Sequence, residues 1–204
     1  IVFVFFFCSS IPVQDSGQDM PDEVAPTEDG TKEVDAPIQI EEFPSLDNRL
    51  VLTFGGDIMA HVENFGMTDY NMIYADIEEI IQNDDFTFAN LETPVHDGRP
   101  YESYPTFNVQ PEYAQAAIDA GFEVFSLANN HTNDQGYEGM EKTLSFFQAQ
   151  AAEGVYAAGI KPAGYQGFTY QLIEKGDWKI LFVAITEILN RFTDYQKIDY
   201  VAPS

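Results

Sequence analysis

The sequence predicts an α/β protein with a largely parallel sheet. Short apolar runs rich in β-branched and aromatic residues alternate with segments that have the apolar spacing of helices. Such alternation is typical of parallel strands joined by helices that cover both faces of a sheet. The strongest apolar run, residues 122–127, ends abruptly before the polar residues Asn129, Asn130 and His131. Because ligands of open α/β sheets bind beyond the carboxyl ends of the strands, this run also predicts a site.

The predicted strands and helices follow one another from residue 49 onward. Strand 50–54 is a short β-rich run that closes in a turn at Gly55-Gly56-Asp57. Pro111 and Gly121 stand where the first residue and the C-terminal cap of a helix would be, which delimits helix 111–120. The other predicted elements are helices 75–82 and 137–151, strands 86–89, 106–109, 122–127 and 155–158, and a hairpin of 168–173 and 179–185 around Gly176-Asp177.

Composition limits the partners that the chain can bind. The 204 residues carry a formal net charge of -25, which disfavours nucleic acid and spontaneous association with anionic membranes. An acidic substrate would also be repelled unless a cation intervenes. For a phosphate or carboxylate substrate, composition therefore favours a metal-assisted site over an arginine clamp. Cys8 is the only cysteine in the sequence, so pairing says nothing about the redox compartment.

Three segments of the chain differ in character. Residues 1–8 are apolar up to the cysteine, are too short to span a bilayer, and have the composition of the end of a signal-peptide apolar region. Cys8, followed by two serines, predicts a lipid-attachment site of bacterial type, although Phe7 stands where a small residue is usual. A plain signal peptide and a strand fragment are the alternatives. Residues 9–48 contain eleven Asp and Glu, one Lys and five Pro, which predicts a disordered acidic linker. Residues 49–204 are the predicted folded domain.

Polar side chains follow three of the predicted strands. If these strands are parallel neighbours, their carboxyl ends meet at one edge of the sheet and the side chains converge. Carboxylates, an imidazole and an amide oxygen form a mixed ligand set that suits Mn, Mg, Fe or Zn. The three groups are Asp57 with His61, Asn90 with Glu92, and Asn129 and Asn130 with His131.

Each member of this set also has a simpler explanation. Turn, cap or left-handed backbone roles suit Asp57, Asn129 and Asn130, and a helix start suits Asp134 with Gly136. A solvated surface position suits Glu92, His61 and His96. The joint occurrence at three strand ends is what favours a metal or catalytic site.

Three sequence blocks carry a family resemblance. Gly56 to His61, Ala89 to Pro94 and Ser126 to Thr132 resemble, in order and spacing, the CapA-type poly-γ-glutamate capsule biosynthesis proteins. These proteins are a branch of the calcineurin-like metallophosphatase superfamily. The resemblance covers roughly Leu50 to the end of the chain. It implies a metallophosphatase-like layered α/β sandwich with a centre of two divalent metal ions at the strand ends.

The resemblance also implies roles for individual residues. His131 would be the catalytic general acid or charge stabiliser beside the scissile group. Metal-binding roles are implied for Asp57, His61, Glu92 and Asn130, and substrate-binding roles for Asn90 and Asn129. Later histidine-bearing motifs of the family have no counterpart here, so we expect a fragment that lacks its C-terminal part and is inactive alone.

The function implied is biosynthesis or export of an anionic capsule polymer, with a metal-dependent hydrolase-type site. The implied partners are the polymer or its synthesis machinery, and no nucleic acid. We expect an extracytoplasmic position in the cell envelope, as a membrane-anchored lipoprotein. A non-catalytic surface scaffold for polymer export and a general metallophosphoesterase are the alternatives, because a fold does not settle function.

Overall fold

The computed structural model describes residues 49–203 and the backbone of residues 2–8. The predicted acidic linker, residues 9–48, lies outside the described residues. Within them, the strands are β1 (Val2–Cys8), β2 (Leu52–Ile58), β3 (Phe86–Leu91), β4 (Phe122–Ser126), β5 (Tyr156–Ala158), β6 (Gln171–Lys175) and β7 (Trp178–Thr186). The α-helices are α1 (Val62–Phe65), α2 (Glu78–Ile81), α3 (Pro111–Ala120) and α4 (Gly136–Gln150), and the 3₁₀ helices are Tyr70–Ile73, Ala151–Glu153 and Tyr195–Lys197.

A four-stranded parallel sheet in the order β2-β3-β4-β5 positions the site. Strand β3 lies inside this sheet, and all six of its residues are buried. In a strand that is covered on both faces, apolar residues follow one another with little alternation of apolar and polar positions, as in residues 86–91. The predicted parallel sheet of an α/β protein is therefore confirmed.

The second sheet has the order β1-β7-β6. Strands β6 and β7 form the predicted antiparallel hairpin, and Gly176 in its turn has a φ of 55°. Alternate residues of β7, including Ile180, Phe182 and Ala184, are buried. The Phe182 ring centroid lies 5.8 Å from that of Phe88 on β3, edge to face, so the two sheets pack against each other.

The helices cover the parallel sheet. Helix α3 has the predicted bounds, and Gly121 caps it with a φ of 120°. Helix α4 begins and ends one residue before its predicted bounds, and its Phe147 packs on Phe125 of β4 with ring centroids 4.9 Å apart. The predicted helix 75–82 shrinks to the four residues of α2. Only Ile81 of its apolar residues is buried, whereas Ile77 and Ile80 are exposed.

The predicted turn at Gly55-Gly56-Asp57 is wrong. Strand β2 continues through these residues to Ile58 and carries a bulge, because its register shifts between Phe54, opposite Phe88, and Asp57, opposite Asn90. A Cβ on Gly55 would lie 2.9 Å from the Phe122 ring, so only glycine allows this approach. The bulge leaves Asp57 beside Asn90 at the carboxyl end of the sheet.

The N-terminal segment forms strand β1. Its residues run parallel to β7, from Val2 opposite Ile180 to Cys8 opposite Thr186. This arrangement corresponds to the strand alternative considered for residues 1–8. The signal-peptide remnant and the lipidated Cys8 stay predictions. In the part of the chain that the structure describes, no helix has the length and hydropathy required to cross a membrane.

A half-buried carboxyl group lies at a second irregularity in the sheet. The register of β3 and β4 shifts after Thr87, opposite Phe122, and Phe88 lies opposite Val124, which leaves Glu123 as the extra residue. The Glu123 carboxylate accepts a hydrogen bond from the Thr87 N–H at 2.7 Å. Burial raises the pKa of Glu123 to about 7, and the Thr87 N–H opposes this shift.

Replacing Glu123 with Gln tests this raised pKa. Between about pH 4.5 and 7 the folded protein holds more of the Glu123 proton than the unfolded chain does. The stability that this proton contributes is full below pH 4.5 and is lost as the pH rises through 7. Between about pH 5 and about pH 8 the full shift would correspond to about 2.5 kcal/mol, but Glu123 is only half-buried and solvent screens its charge. On going from about pH 5 to about pH 8, we therefore expect Glu123→Gln to become more stable relative to wild type by about 1 kcal/mol, measured by urea unfolding.

The matched control is Glu153→Gln, because Glu153 is exposed. We expect this variant to stay within about 0.5 kcal/mol of wild type at both pH values. The same pH effect in both variants would contradict the assignment to the Glu123 carboxyl.

Candidate functional site

The carboxyl ends of β2, β3 and β4 open into one cavity of about 680 Å³. Because the three strands are parallel neighbours, the side chains that follow them meet at the same edge of the sheet, as the sequence predicts. A loop from the second sheet, residues 188–191, closes another side. The cavity is lined by Asp57, Glu92, Asn130, His131, Asp134, Ile188, Asn190 and Arg191, with Tyr104, Pro105 and Thr106 at its rim.

The side chain of Asn90 joins the first two strand ends. Its Nδ2 donates to Asp57 Oδ1 at 2.9 Å and to Glu92 Oε2 at 3.1 Å. An amide group carries two N–H donors, so one side chain can hold two carboxylates at once. The Asn90 side chain thereby fixes the positions of Asp57 and Glu92 relative to each other.

Asn129 extends this network to the third strand end. Its Nδ2 donates to Asn90 Oδ1 at 3.1 Å and to the Leu91 carbonyl at 2.8 Å, and its Oδ1 accepts from the His131 N–H at 3.0 Å. Asn129 is fully buried, and neither Asn90 nor Asn129 lines the cavity. The hydrogen-bonding groups of both amides are used within the network, and their predicted substrate-binding role stays a prediction.

The surroundings of the Glu92 carboxyl group disfavour its ionised form. Burial raises its pKa to about 7, the Asp57 carboxylate adds to the shift, and the His131 imidazole opposes it. Near neutral pH, about half of the Glu92 carboxyl groups therefore carry a proton. A cation bound by both carboxylates would have to displace this proton.

Asp134 orients the imidazole of His131. The His131 Nδ1 lies 2.7 Å from Asp134 Oδ2, and its Nε2 lies 4.0 Å from Glu92 Oε1. The ring also packs edge-on against Phe107, whose N–H donates to Asp134 Oδ2 at 2.8 Å. An ionised Asp134 accepts from an Nδ1–H, which leaves Nε2 to face the carboxyl pair. Asp134 is thus more than the helix-start residue that its sequence position suggests.

The other two histidines lie outside the cavity lining. His61 precedes α1, its Nδ1 lies 3.0 Å from Ser103 Oγ, and its ring packs edge-on against Phe107. The structure thus does not place His61 with the carboxyl pair. His96 is buried, and its Nδ1 accepts from the Gly98 N–H at 3.0 Å, so the expected surface position of His96 is wrong.

The residues of the cavity fit a divalent cation in part. Asp57 and Glu92 supply two carboxylates, Asn130 adds an amide beside them, and Asp134 Oδ1 is a buried oxygen that has no hydrogen-bond partner in the described residues. Across residues 49–203, however, no three His, Cys, Asp or Glu side chains come close enough to form a metal site. An ion held by Asp57 and Glu92 would therefore draw its further ligands from Asn130 or from water.

The sequence analysis does not identify the two polar residues that the second sheet contributes to the cavity. Asn190 and Arg191 follow β7, and Asn190 Nδ2 lies 3.2 Å from His131 Nδ1. Asn190 and Arg191 are polar residues shortly after an apolar strand. The same pattern marks the polar residues at the ends of β2, β3 and β4. Asn190 and Arg191 escaped notice because β7 belongs to the second sheet, whereas the predicted site lies on the first.

Comparison with known proteins supports the fold. The family profile of "Bacterial capsule synthesis protein PGA_cap" matches residues 51–203. The capsule biosynthesis protein CapA of Bacillus anthracis is 32% identical over 123 residues, which cover 55% of this chain and 28% of that protein. The PGA biosynthesis protein CapA of Bacillus subtilis is 31% identical over 110 residues, covering 51% of this chain and 29% of that protein.

A further relative has no assigned function. The uncharacterized protein y4sH of Sinorhizobium fredii is 27% identical over 118 residues, which cover 54% of this chain and 25% of that protein. The chain thus spans between a quarter and a third of the length of these curated relatives. The profile match includes β2 to β7, all the strands of the described domain other than β1, and every residue that lines the cavity. The chain therefore belongs to the family of bacterial capsule synthesis proteins called PGA_cap.

Proposed function

We propose that this chain acts in the biosynthesis or export of an anionic capsule polymer, through a metal-dependent hydrolase or transferase site. The observation that carries the proposal is the hydrogen-bonded network of Asp57, Asn90 and Glu92 with His131 beside it in one cavity. Family membership and the two CapA relatives support the capsule role. The anionic polymer or its synthesis machinery is the proposed partner.

The proposed metal ligands are Asp57, Glu92 and Asn130. The metallophosphatase-like fold of the family suggests divalent ions, and the oxygen-rich lining suits Mn, Mg, Fe or Zn, with two ions in the full-length protein. A bound divalent ion would polarise a scissile phosphoester or amide oxygen and lower the pKa of a bound water. His61 is a weaker proposal, because its ring is hydrogen-bonded to Ser103 outside the cavity lining.

His131 is the proposed catalytic residue. If Asp134 accepts from an Nδ1–H, the imidazolium form of His131 carries its second proton on Nε2, which faces the cavity; in that form His131 would deliver the proton to a leaving group or stabilise negative charge on it. Asn90 and Asn129 are proposed as positioning residues, because they hold Glu92 and the His131 backbone in place.

Metal binding should depend on both carboxylates and on pH. We expect Mn²⁺ affinity, measured by isothermal titration, to fall at least about tenfold in Asp57→Asn and in Glu92→Gln. Because an ion must displace the Glu92 proton, the apparent affinity of the wild type should rise about tenfold per pH unit up to about pH 7 and then level off.

The control variant is Glu63→Gln, an exposed carboxylate near the site in sequence but absent from the cavity lining. It should bind Mn²⁺ like the wild type. Equal affinity in Asp57→Asn, Glu92→Gln and the wild type, all folded by circular dichroism, would refute the proposed metal site.

Substitution of His131 distinguishes a catalytic function from the function of a non-catalytic scaffold. In the native bacterium, a chromosomal His131→Ala should remove most of the anionic surface polymer, measured by extraction and staining, while the protein remains at wild-type abundance. We expect the purified variant to keep Mn²⁺ affinity within about threefold, since His131 is not a proposed ligand. Normal polymer levels with His131→Ala would favour the non-catalytic scaffold for polymer export.

We also propose that the protein is a lipoprotein of the cell envelope, attached through Cys8. Lipidation would remove residues 1–7 and with them most of strand β1, so processing and the pairing of β1 with β7 exclude each other. Mass spectrometry of the protein from native membranes should find a lipid-modified Cys8 as the first residue, and Cys8→Ser should leave the membrane fraction. A mature protein that retains residues 1–7 would refute the anchor.

A further inference from the structure

The loop between β7 and the 3₁₀ helix Tyr195–Lys197 is fastened to the site by hydrogen bonds. The Asn190 N–H donates to the Asn130 carbonyl at 3.2 Å. Asn133 Nδ2 donates to the carbonyls of Arg191 and Thr193 at 2.9 and 2.8 Å. These contacts join the second sheet to the polar run that follows β4. The side chains of Asn190 and Arg191 are therefore held at the cavity.

Arg191 lines a cavity that is also lined by three carboxylates. The acids are Asp57, Glu92 and Asp134, and no other Lys or Arg lines the cavity in the described part of the chain. Such a cation is unexpected in a chain whose formal net charge is -25. The overall composition of the chain does not explain why Arg191 lies at this cavity.

Arg191 is also bonded differently from six other cations of the described domain. Its Nη1 donates to the main-chain carbonyl of Asp134 at 3.0 Å, and within residues 49–203 it has no carboxylate partner at ion-pair distance. Arg191 is exposed as a residue, and an arginine side chain carries five N–H donors. The cations that do lie within 4.0 Å of a carboxylate oxygen are Arg99, Lys142, Lys161, Lys175, Lys179 and Lys197.

We propose that Arg191 binds an anionic group of the substrate, a carboxylate or a phosphate, beside His131. The inference rests on the proposed function, because it places the substrate in the same cavity. The planar guanidinium fork matches the oxygens of either anion in a two-point contact. Its remaining donors are available for this contact, since only one is used by Asp134.

Asp134 relates this anion-binding group to the proposed catalytic residue. Its carboxylate lies 2.7 Å from His131 Nδ1, and its carbonyl accepts from Arg191 Nη1. Both side chains are therefore positioned from one residue. A substrate anion bound by Arg191 is held at a fixed place relative to the His131 imidazole, as positioning of a scissile bond requires.

Binding of two small anions tests the proposal. The probes are inorganic phosphate and glutarate, each titrated calorimetrically into the whole chain with and without Mn²⁺. We expect saturable binding of at least one probe, weakened at least about tenfold in Arg191→Gln and about threefold in Arg191→Lys, which keeps the charge but loses the fork. The probe that binds more tightly identifies the anion as a phosphate or a carboxylate.

Lys142→Gln is the control, because it removes the same charge at a surface ion pair with Asp97 outside the cavity. It should change anion affinity less than about twofold. If Arg191 only fastens the loop, Arg191→Gln will lower the melting temperature without changing anion affinity, and this result would overturn the proposal. Absence of binding of either probe to the wild type would also overturn it.

The two proposals can fail separately. Normal Mn²⁺ binding together with anion binding that ignores Arg191 would overturn only the role of Arg191. Anion binding that depends on Arg191 in a chain that binds no Mn²⁺ would overturn only the metal site.

Discussion

The hydrogen bonds of Asn90 are the constraint on which the site depends. Asn90 is the penultimate residue of the buried strand β3, which pairs with a neighbour on each side and so has little freedom to move. Its amide donates to Asp57 and Glu92 and accepts from Asn129. A carboxylate at this position would repel both acids, and an apolar side chain would leave them without a donor. The two carboxylates therefore stay together because an amide stands between them.

The elements of the fold could be predicted wherever a local signal is sufficient. Pro111 and Gly121 delimit α3 because one residue fixes φ and the other allows a positive φ. The convergence of the strand ends follows from parallel order alone. The pair Gly55-Gly56 reads locally as a turn, and only the register against β3 makes it a bulge. Asp134 reads locally as a helix start, and its contact with His131 exists only in the folded protein.

Average composition was a poor guide to the charge of the cavity. Residues 9–48 alone contain eleven acidic residues and one lysine, so a large part of the negative charge belongs to that segment. Within the domain, most described cations are paired with surface or buried acids, but Arg191 is held at the cavity by a main-chain carbonyl. From composition we expect a metal-assisted site in place of an arginine clamp, as if a site could have only one of the two. The geometry allows both to act in one cavity.

The charges of the lining couple the two proposed binding events. With Glu92 ionised, three carboxylates face one guanidinium, so an entering anion meets net repulsion. One divalent ion on Asp57 and Glu92 would displace the Glu92 proton and neutralise the excess negative charge. Arg191 could then hold a substrate anion without opposition from these acids. Because linkage is reciprocal, an anion on Arg191 would strengthen metal binding by the same factor as the metal strengthens anion binding. We therefore expect the acidic carboxyl pair and Arg191 to act together, so that an anion binds more tightly when a cation is already bound.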